Sequence, residues 1–293
     1  MKASEHLAHI LSGYALEVID SLGLQRDEDL IGSPDRLRGL LEARGWPVYE
    51  AAFAYDEAVG GITLGGKTPL GVYAALRRRE RERVPHDDEL LNYQGKVLLP
   101  AEGSGITELW IDAEGTIYNA YFGDLSGDDD GDYAKPRYAT YTTLLERYAL
   151  QTDPIWGRDV ALSDRRTRYT ADVRARVGAE LAAATNMPPW APATDRYASV
   201  WRDGERLVME HPNVETNWPE TEARFDTLED VVAFWDVAEH LAPGASMRWA
   251  GRAPDAPRPG DVVMRTYRLN ASDRGLRDVA VCGQHGQLRI AGW

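Results

Sequence analysis

The chain has 293 residues, a net charge of −14 and 43% hydrophobic residues, which is enough for one large domain or two ordinary ones. Its longest apolar runs are short and interrupted by charge, so no membrane-spanning segment is expected. Cys282 is the sole cysteine, which excludes an intrachain disulfide. The first ten residues lack the basic-then-apolar pattern of a secretion signal, and we therefore expect a cytoplasmic protein.

The negative charge is concentrated in the first half of the chain. Residues 1–150 contain 15 basic and 26 acidic side chains, a net charge of −11, whereas residues 151–293 have a net charge of −3. An acidic surface repels nucleic-acid phosphates and accelerates encounter with basic proteins. We therefore expect a basic protein partner and no nucleic acid, although solubility alone would also account for the charge.

Helical periodicity dominates the first 60 residues. Apolar side chains at helical spacing predict an amphipathic helix over 4–22. The segment 33–45 begins with a capping serine followed by proline and ends in Gly45, the pattern of a helix with a left-handed exit. A third helix is predicted over 49–59, and it ends at Gly60-Gly61.

The pattern then changes to strands. Residues 108–122 alternate apolar and polar side chains around a turn, which predicts a hairpin with Gly115 at positive φ. Residues 141–150 have helical spacing, and periodicity is lost over 151–168, which marks a domain boundary. The first domain is therefore placed at 1–150.

The second half, 168–293, gives a mixture of signals. A helix is predicted over 170–186, a hairpin over 196–211 that turns at Asp203-Gly204, and a long helix over 227–241. Strands are predicted at 262–269, 276–282 and 287–291. The fold class predicted for the whole chain is α+β, with hairpins and one long helix in the second half.

One segment matches the letters of a phosphate-binding loop. Gly61, Gly66, Lys67 and Thr68 stand at the positions required by G-x-x-x-x-G-K-[ST], so a nucleotide-dependent enzyme is one hypothesis. A phosphate-binding loop follows a buried strand, however, and the residues before Gly61 have helical spacing instead. The opposing interpretation is a helix that stops at a pair of glycines.

A second candidate site is the acidic segment 123–133. It follows a calcium-binding pattern for several positions, but Arg137 stands where a bidentate glutamate should close the site. A solvated loop is one interpretation, and a docking surface for lysine and arginine side chains of a partner is another. The candidate contacts are Asp124, Asp128, Asp129, Asp130 and Asp132.

Catalytic and metal-binding patterns are sparse. His6 and His9 are one helical turn apart, but no third ligand is evident in the sequence. Cys282 lies in an apolar stretch that predicts a strand, so we interpret it as a structural thiol. We therefore predict no catalytic residues, no metal and no cofactor.

The order of motifs in residues 26–150 resembles the SUKH superfamily, which includes a fungal regulator of cell-wall synthesis and many bacterial immunity proteins. The segments that carry the resemblance are a Gly-Trp-Pro start, a short helix with a phenylalanine, a Gly-Gly break and an L-x-[IV]-D-x-x-G-x-[IV]-Y hairpin. The matching residues are Gly45, Trp46, Pro47, Phe53, Gly60, Gly61, Leu109, Ile111, Asp112, Gly115, Ile117 and Tyr118.

The resemblance implies a mixed sheet with flanking helices and a non-enzymatic, intracellular binding protein. Bacterial members of this superfamily typically neutralise a polymorphic toxin by covering its working surface, and an acidic face suits a nuclease with a basic cleft. The resemblance does not extend to residues 151–293, to the insertion before residue 90 or to the acidic segment 123–133. A regulatory scaffold without a toxin partner is a further hypothesis.

Overall fold

A computed structural model shows an α+β protein, which confirms the predicted fold class. The chain divides into two compact units, Met1–Pro154 with Asp195–Tyr197 (the first unit) and Ile155–Thr194 with Ala198–Trp293 (the second unit). The first unit therefore includes seven residues beyond the predicted limits of 1–150, namely 151–154 and Asp195–Tyr197. The structure describes residues 1–65, 68–82, 90–102, 107–121, 134–153, 169–173, 176–204, 206–212, 219–225, 237, 240–241, 247–250, 262–264, 279–282 and 288–291.

The first unit combines helices with one sheet. Its helices are α1 (Ala3–Leu7), α2 (Gly13–Ser21), α3 (Pro34–Ala43), α4 (Glu50–Val59), α5 (Val72–Glu82) and α6 (Tyr141–Thr152). Its strands are β1 (Leu91–Tyr93), β2 (Lys96–Glu102), β3 (Thr107–Ile111), β4 (Ile117–Tyr121) and β5 (Ala134–Tyr138). Within the described ranges, no helix has the length and apolarity needed to cross a membrane.

Helices α3, α4 and α6 confirm the sequence-based predictions. The Ser33 hydroxyl accepts a hydrogen bond from the Arg36 amide (3.4 Å), and Gly45 has φ = 66° after α3. Helix α4 ends at Val59, directly before the two glycines. Helix α6 begins at a capping box formed by Thr140 and Thr143.

The single helix predicted over 4–22 is wrong, because the chain breaks between α1 and α2. Ser12 has an extended backbone (φ = −64°, ψ = 154°), and its hydroxyl accepts a hydrogen bond from the Ala15 amide to begin α2. The buried Glu146 carboxylate in α6 accepts further hydrogen bonds from the Ser12 amide (2.5 Å) and hydroxyl (2.8 Å). A tertiary contact thus fixes a second helix start inside a continuous helical pattern.

The sheet of the first unit has the order β1-β2-β3-β4-β5, and all its described pairs are antiparallel. The expectation of a mixed sheet is therefore wrong in that detail. The hairpin predicted over 108–122 is confirmed as β3 and β4, with Gly115 at φ = 83°. Residues 96–102 form β2 although they contain Pro100, and a register shift between Pro100 and Glu102 accommodates the missing amide donor.

The two faces of this sheet carry separate apolar clusters. Leu109, Ile111 and Ile117 face the helices and join their main core. Trp110, which is 2% exposed, alternates to the opposite face and packs there with Leu98 and Tyr118. The second face of the sheet therefore has an apolar cluster of its own, separate from the main core.

The second unit contains an antiparallel sheet with the order β10-β6-β9-β8-β7 and a short helix, α7 (Gly178–Ala184). Its strands are β6 (Tyr169–Val173), β7 (Ser199–Asp203), β8 (Arg206–Pro212), β9 (Pro219–Phe225) and β10 (Met247–Ala250). The helix predicted over 170–186 is wrong in its first part, because those residues form β6 and pair with β9 and β10. Long-range strand pairing has overridden the local helical spacing there.

Two other predictions for the second half are confirmed, and a third lies mostly outside the described residues. The hairpin over 196–211 is confirmed by the pairing of β7 with β8, with Gly204 at φ = 57°. A separate three-stranded sheet, β11-β12-β13, confirms strands near the end of the chain; its strands are Val262–Met264, Val279–Cys282 and Leu288–Ala291. Most of the helix predicted over 227–241 lies outside the described residues.

Candidate functional site

The glycine-rich segment begins at the end of a helix. Helix α4 runs to Val59, so the buried strand that precedes a phosphate-binding loop is replaced by a helix here. Gly61 has φ = 79°, and a Cβ atom at this position would overlap the Asp27 carbonyl oxygen. Gly60 keeps φ = −53°, but a Cβ there would overlap the Asp56 carbonyl oxygen. Both glycines are thus required by packing, and Gly61 also by its backbone conformation.

After Gly61 the chain doubles back on itself. The Gly61 amide donates to the Leu70 carbonyl (2.9 Å), and the Leu70 amide donates to the Ile62 carbonyl (2.7 Å). Ile62 also forms an isolated bridge with Arg26. The chain after the glycines therefore forms isolated bridges and not a regular strand.

Helix α5 begins after this segment, and a carboxylate of the protein itself occupies its N-terminus. Asp56 in α4 accepts hydrogen bonds from the amides of Val72 (2.5 Å) and Tyr73 (2.9 Å). The preceding Gly71 amide donates to the Ala101 carbonyl in β2 (2.8 Å). In a nucleotide-binding protein, such amides would converge on a phosphate. Here Asp56 takes the position of that anion.

The Asp56 side chain is almost fully buried. Burial raises the pKa of Asp56 to about 7, although the amides of Tyr73 and Val72 and the charge of Arg26 oppose this rise. An ionised carboxylate in this position benefits from the positive end of the α5 dipole. The site therefore links α4 to α5 through a carboxyl group with an unusually high pKa.

Arg26 caps the other end of the same junction. Its Nε donates to the Gly60 carbonyl (2.9 Å) and its Nη2 donates to the Glu57 carbonyl (2.6 Å), which satisfies carbonyl groups at the end of α4. Its Nη1 lies 3.1 Å from Nδ1 of His6 in α1. Two buried charges, Arg26 and Asp56, thus fix the end of one helix and the start of the next.

Of the remaining residues of the phosphate-loop pattern, the structure describes only Thr68. Gly66 and Lys67 lie outside the described residues. The Thr68 hydroxyl donates to Oε1 of Glu102 at the end of β2 (2.7 Å). The neighbouring Gly65 amide donates to the Tyr148 hydroxyl in α6 (2.8 Å). In a magnesium–nucleotide site, the hydroxyl at this position would coordinate the magnesium ion. Here the Thr68 hydroxyl is hydrogen-bonded to a carboxylate instead.

Asp112 organises the turn between β3 and β4. Its Oδ1 accepts hydrogen bonds from the amides of Glu114 and Thr116 (2.9 Å each), and its Oδ2 accepts from Lys96 Nζ (2.8 Å) and the Tyr118 hydroxyl (2.9 Å). Burial opposes ionisation, but Lys96, the Thr116 amide and Tyr118 together lower the pKa of Asp112. The aspartate of the hairpin motif is thus structural.

The carboxylates on α1 and α2 face solvent instead. Glu5, Glu17 and Asp20 line a shallow groove of about 450 Å³ between these helices, and Leu16 contributes apolar surface. Asp20 binds Lys2 Nζ at 3.1 Å, and both side chains are about half exposed. This groove is acidic, open and lined by exposed carboxylates.

The predicted acidic docking segment, with Asp124, Asp128, Asp129, Asp130 and Asp132, lies outside the described residues. The strands on either side of it, β4 and β5, are paired neighbours, with Ala120 opposite Ala134. The two ends of the acidic segment therefore leave the same end of adjacent strands, and β5 is the edge strand.

Histidine and carboxylate positions give no metal cluster in the part of the chain that the structure describes. The rings of His6 and His9 are in edge contact, with centroids 6.3 Å apart. His6 is engaged with Arg26 and with backbone carbonyl groups at the end of α4. The pair is thus part of the helix packing.

Comparison of the chain with protein-family models, with curated proteins and with solved structures finds no match.

Sequence reasoning missed the buried charges that hold the first unit together. Asp56 lies on the apolar face of α4, between the buried Tyr55 and Val59, and a carboxylate in that position is a signal for a buried cap. Arg26 has no comparable signal, because it precedes an irregular segment. The partners of both residues are distant in sequence, so spacing does not identify them.

Proposed function

We propose that this chain is a protein-binding module of the immunity type, which neutralises a toxin by covering a basic working surface with carboxylates. The resemblance of residues 26–150 to the SUKH superfamily motivates this proposal. The acidic segment between β4 and β5 is the proposed contact surface, with Asp128, Asp129, Asp130 and Asp132 as its central residues. The expected location is the cytoplasm.

The observation that carries the proposal is the division of carboxylates in the first unit into two groups. Within the described ranges, the buried carboxylates of Asp56, Asp112, Glu146 and Asp153 accept hydrogen bonds from amides, hydroxyls or a lysine of the same unit. The carboxylates of Glu5, Glu17 and Asp20 instead line an open groove. Buried carboxylates therefore stabilise the fold, while exposed carboxylates such as Glu5 and Glu17 can contact a partner.

The N-terminal region, residues 1–35, has a large excess of negative over positive charge. Residues 1–35 contain two basic side chains, and one of them, Arg26, is 9% exposed. The other, Lys2, is bound to Asp20. The seven acidic residues of this region are Glu5, Glu17, Asp20, Asp27, Glu28, Asp29 and Asp35. Such a surface favours a basic partner through long-range attraction.

Several of the motif residues that carry the resemblance stabilise the fold. Trp46, Ile111 and Ile117 belong to the helix-facing core, and Asp112 holds the hairpin turn. At Gly115, a Cβ would lie 3.6 Å from the Ala51 side chain of α4. These residues can thus be shared by proteins that bind different partners, because partner contacts lie on surface loops.

The test is complex formation with the toxin domain encoded next to this gene, measured by isothermal titration calorimetry. Replacing Asp128, Asp129, Asp130 and Asp132 by asparagine should weaken binding by about tenfold or more, equivalent to about 1.4 kcal/mol. Unchanged affinity would contradict the proposed contact surface. If the neighbouring genes form a housekeeping operon and encode no toxin, the immunity role itself is contradicted.

A matched control has the same change in net charge at other positions. Replacing Glu42, Glu50, Glu114 and Glu180 by glutamine removes four carboxylates from exposed positions on α3, α4, the β3–β4 turn and α7. This variant should bind with nearly the wild-type affinity. Equal weakening in both variants would mean that net charge, and not a local surface, determines binding.

A further inference from the structure

His6 in α1 lies between an arginine and the end of α4. Its Nε2 is 3.0 Å from the Ala58 carbonyl oxygen and 3.2 Å from the Glu57 carbonyl oxygen, while its Nδ1 is 3.1 Å from Nη1 of Arg26. Carbonyl groups only accept hydrogen bonds, and a guanidinium group only donates them. Nε2 must therefore carry the proton, and Nδ1 must accept from Arg26. This arrangement requires a neutral imidazole ring.

The Arg26 side chain cannot move away from His6 without losing hydrogen bonds at the end of α4. Its other nitrogens donate to the carbonyl groups of Gly60 and Glu57, which otherwise lack helical partners at the end of α4. Arginine also stays charged throughout the pH range in which histidine titrates. A proton on Nδ1 of His6 would thus point at a fixed cation.

Among the residues that the structure describes, the causes that shift the pKa of His6 include no carboxylate. Glu57 has an exposed side chain and uses its carbonyl group here, and Asp56 is directed at the start of α5. Burial is the largest cause that lowers the pKa of His6, followed by the Arg26 charge, and His9 adds a smaller effect. The carbonyl groups of Ala58 and Glu57 act in the opposite direction. Glu28 and Glu57 interact electrostatically with Arg26.

We propose that protonation of His6 detaches helix α1 from the rest of the first unit, so that the attachment of α1 is sensitive to acid. The remaining attachment includes two backbone hydrogen bonds, from the Ala3 amide to the Leu24 carbonyl and from the Arg26 amide to the Met1 carbonyl (3.0 Å each), and the burial of Ala3 and Leu7. It also includes hydrogen bonds from Lys2 Nζ (3.1 Å) and the Ser4 hydroxyl (2.9 Å) to Oδ1 of Asp20, but these groups are exposed to solvent and contribute little. Protonation removes the hydrogen bond to Arg26 and places two cations in contact.

The direction of the pH effect follows from linkage. The pKa of His6 is lower in the folded protein than in the unfolded chain, where it is near 6.5. The attached state therefore binds fewer protons, and attachment is complete above about pH 6.5 and weakens as the pH falls toward the folded-state pKa. Because α1 supplies Ser4 and Glu5 to the acidic groove, detachment would also remove one wall of that groove.

The experiment combines two NMR measurements on the full chain between pH 7.5 and 5.0. The His6 ring resonances give its titration midpoint, and hydrogen-exchange protection factors of the Ala3 and Arg26 amides report the attachment of α1. We expect the His6 midpoint to lie below 6.5 and both protection factors to fall as His6 titrates. The Trp46 amide, which donates to the Leu41 carbonyl, should keep its protection.

Two variants separate the proposal from a general acid effect. His6→Gln retains an amide donor but cannot be protonated, so its protection factors should show no step in this pH range. His9→Gln removes the neighbouring ring and should keep the wild-type step. If wild-type protection factors do not change, or if His6→Gln shows the same step as the wild type, the proposal is wrong. A His6 midpoint at or above 6.5 would also contradict it.

Discussion

Asp195 is the counter-ion of Arg147 in the first unit. The two side chains form an ion pair and are 6% and 4% exposed, respectively. Oδ2 of Asp195 also accepts hydrogen bonds from the Ala139 amide (2.8 Å) and the Thr143 hydroxyl (2.9 Å), and Oδ1 accepts from the Tyr197 amide (2.8 Å). A residue from far along the chain thus satisfies a buried charge of α6.

Replacing Asp195 by asparagine should destabilise the first unit by about 3–5 kcal/mol, because Arg147 would stay buried without its counter-ion. The measurement is hydrogen exchange of the α6 amides, which gives the free energy of opening of this unit. Asp20→Asn is the control, since Asp20 of the first unit is 50% exposed in its ion pair with Lys2 and should contribute far less to stability. A cost for Asp195→Asn as small as the control's would refute this role.

The ion pair of Asp195 and Arg147 implies that the first unit needs residues beyond position 154 for its full stability. A fragment that ends at residue 154 lacks Asp195–Tyr197, and it also lacks the hydrogen bond from Arg196 Nη2 to the Thr116 hydroxyl (2.6 Å). We expect its midpoint of urea denaturation to be lower than that of the first unit in the full chain. In the fragment, Arg147→Met should partly restore stability, because an apolar side chain needs no counter-ion. A fragment as stable as the full chain would contradict this account.

Asp56 predicts a pH dependence with the opposite sign to that of His6. Its pKa is raised to about 7 by burial, so between about pH 4 and 7 the folded state binds more protons than the unfolded state. The contribution of Asp56 to the free energy of unfolding therefore decreases as the pH rises through this window. Asp56→Asn should lack this decrease, which urea denaturation at pH 4.5, 5.5, 6.5 and 7.5 would show. Parallel curves for both proteins would exclude the raised pKa.

The glycines of the phosphate-loop pattern should differ in their tolerance to alanine. Gly61→Ala combines a positive φ with an overlap against the Asp27 carbonyl, so we expect a loss of about 3 kcal/mol or more. Gly65 has φ = 62° but open space around its Cβ position, so Gly65→Ala should cost about 1–2 kcal/mol. Chemical denaturation gives both values. The account fails if Gly61→Ala is the better tolerated of the two.

Nucleotide binding gives a further test of the same segment. Because Asp56 already accepts hydrogen bonds from the first amides of α5, we expect no saturable binding of ATP–Mg or GTP–Mg at millimolar concentration. Equilibrium dialysis is the measurement, with Lys67→Ala as the matched variant. Binding by the wild type that Lys67→Ala abolishes would restore the enzyme hypothesis.

Local signals predicted much of the secondary structure. The capping serine at position 33, the exit at Gly45 and the turn at Gly115 each act within a few residues, so the sequence specifies them directly. The break before Gly13 was missed, because it depends on Glu146 as well as on Ser12. Strand β6 was missed for a related reason, since its pairing partners are distant in the sequence.

The buried charges of the candidate site were also only partly predictable, because their partners are distant in the sequence. The position of Asp56 on an apolar helix face was visible in the sequence, but its partners at the start of α5 were not. The pairing of Arg147 with Asp195 crosses the predicted domain boundary, and no spacing rule connects them. Long-range contacts of this kind arise from the assembled fold and not from periodicity.

The central claim is that the first unit binds a basic protein through local carboxylates. Its most direct test is the dissociation constant for the neighbouring gene's toxin domain, measured at 50 mM and 300 mM salt for the wild type and for the variant with asparagine at Asp128, Asp129, Asp130 and Asp132. We expect the wild type to lose affinity steeply with salt, and the variant to bind weakly with a much smaller salt dependence. Tight binding by both proteins with the same salt dependence would contradict the claim.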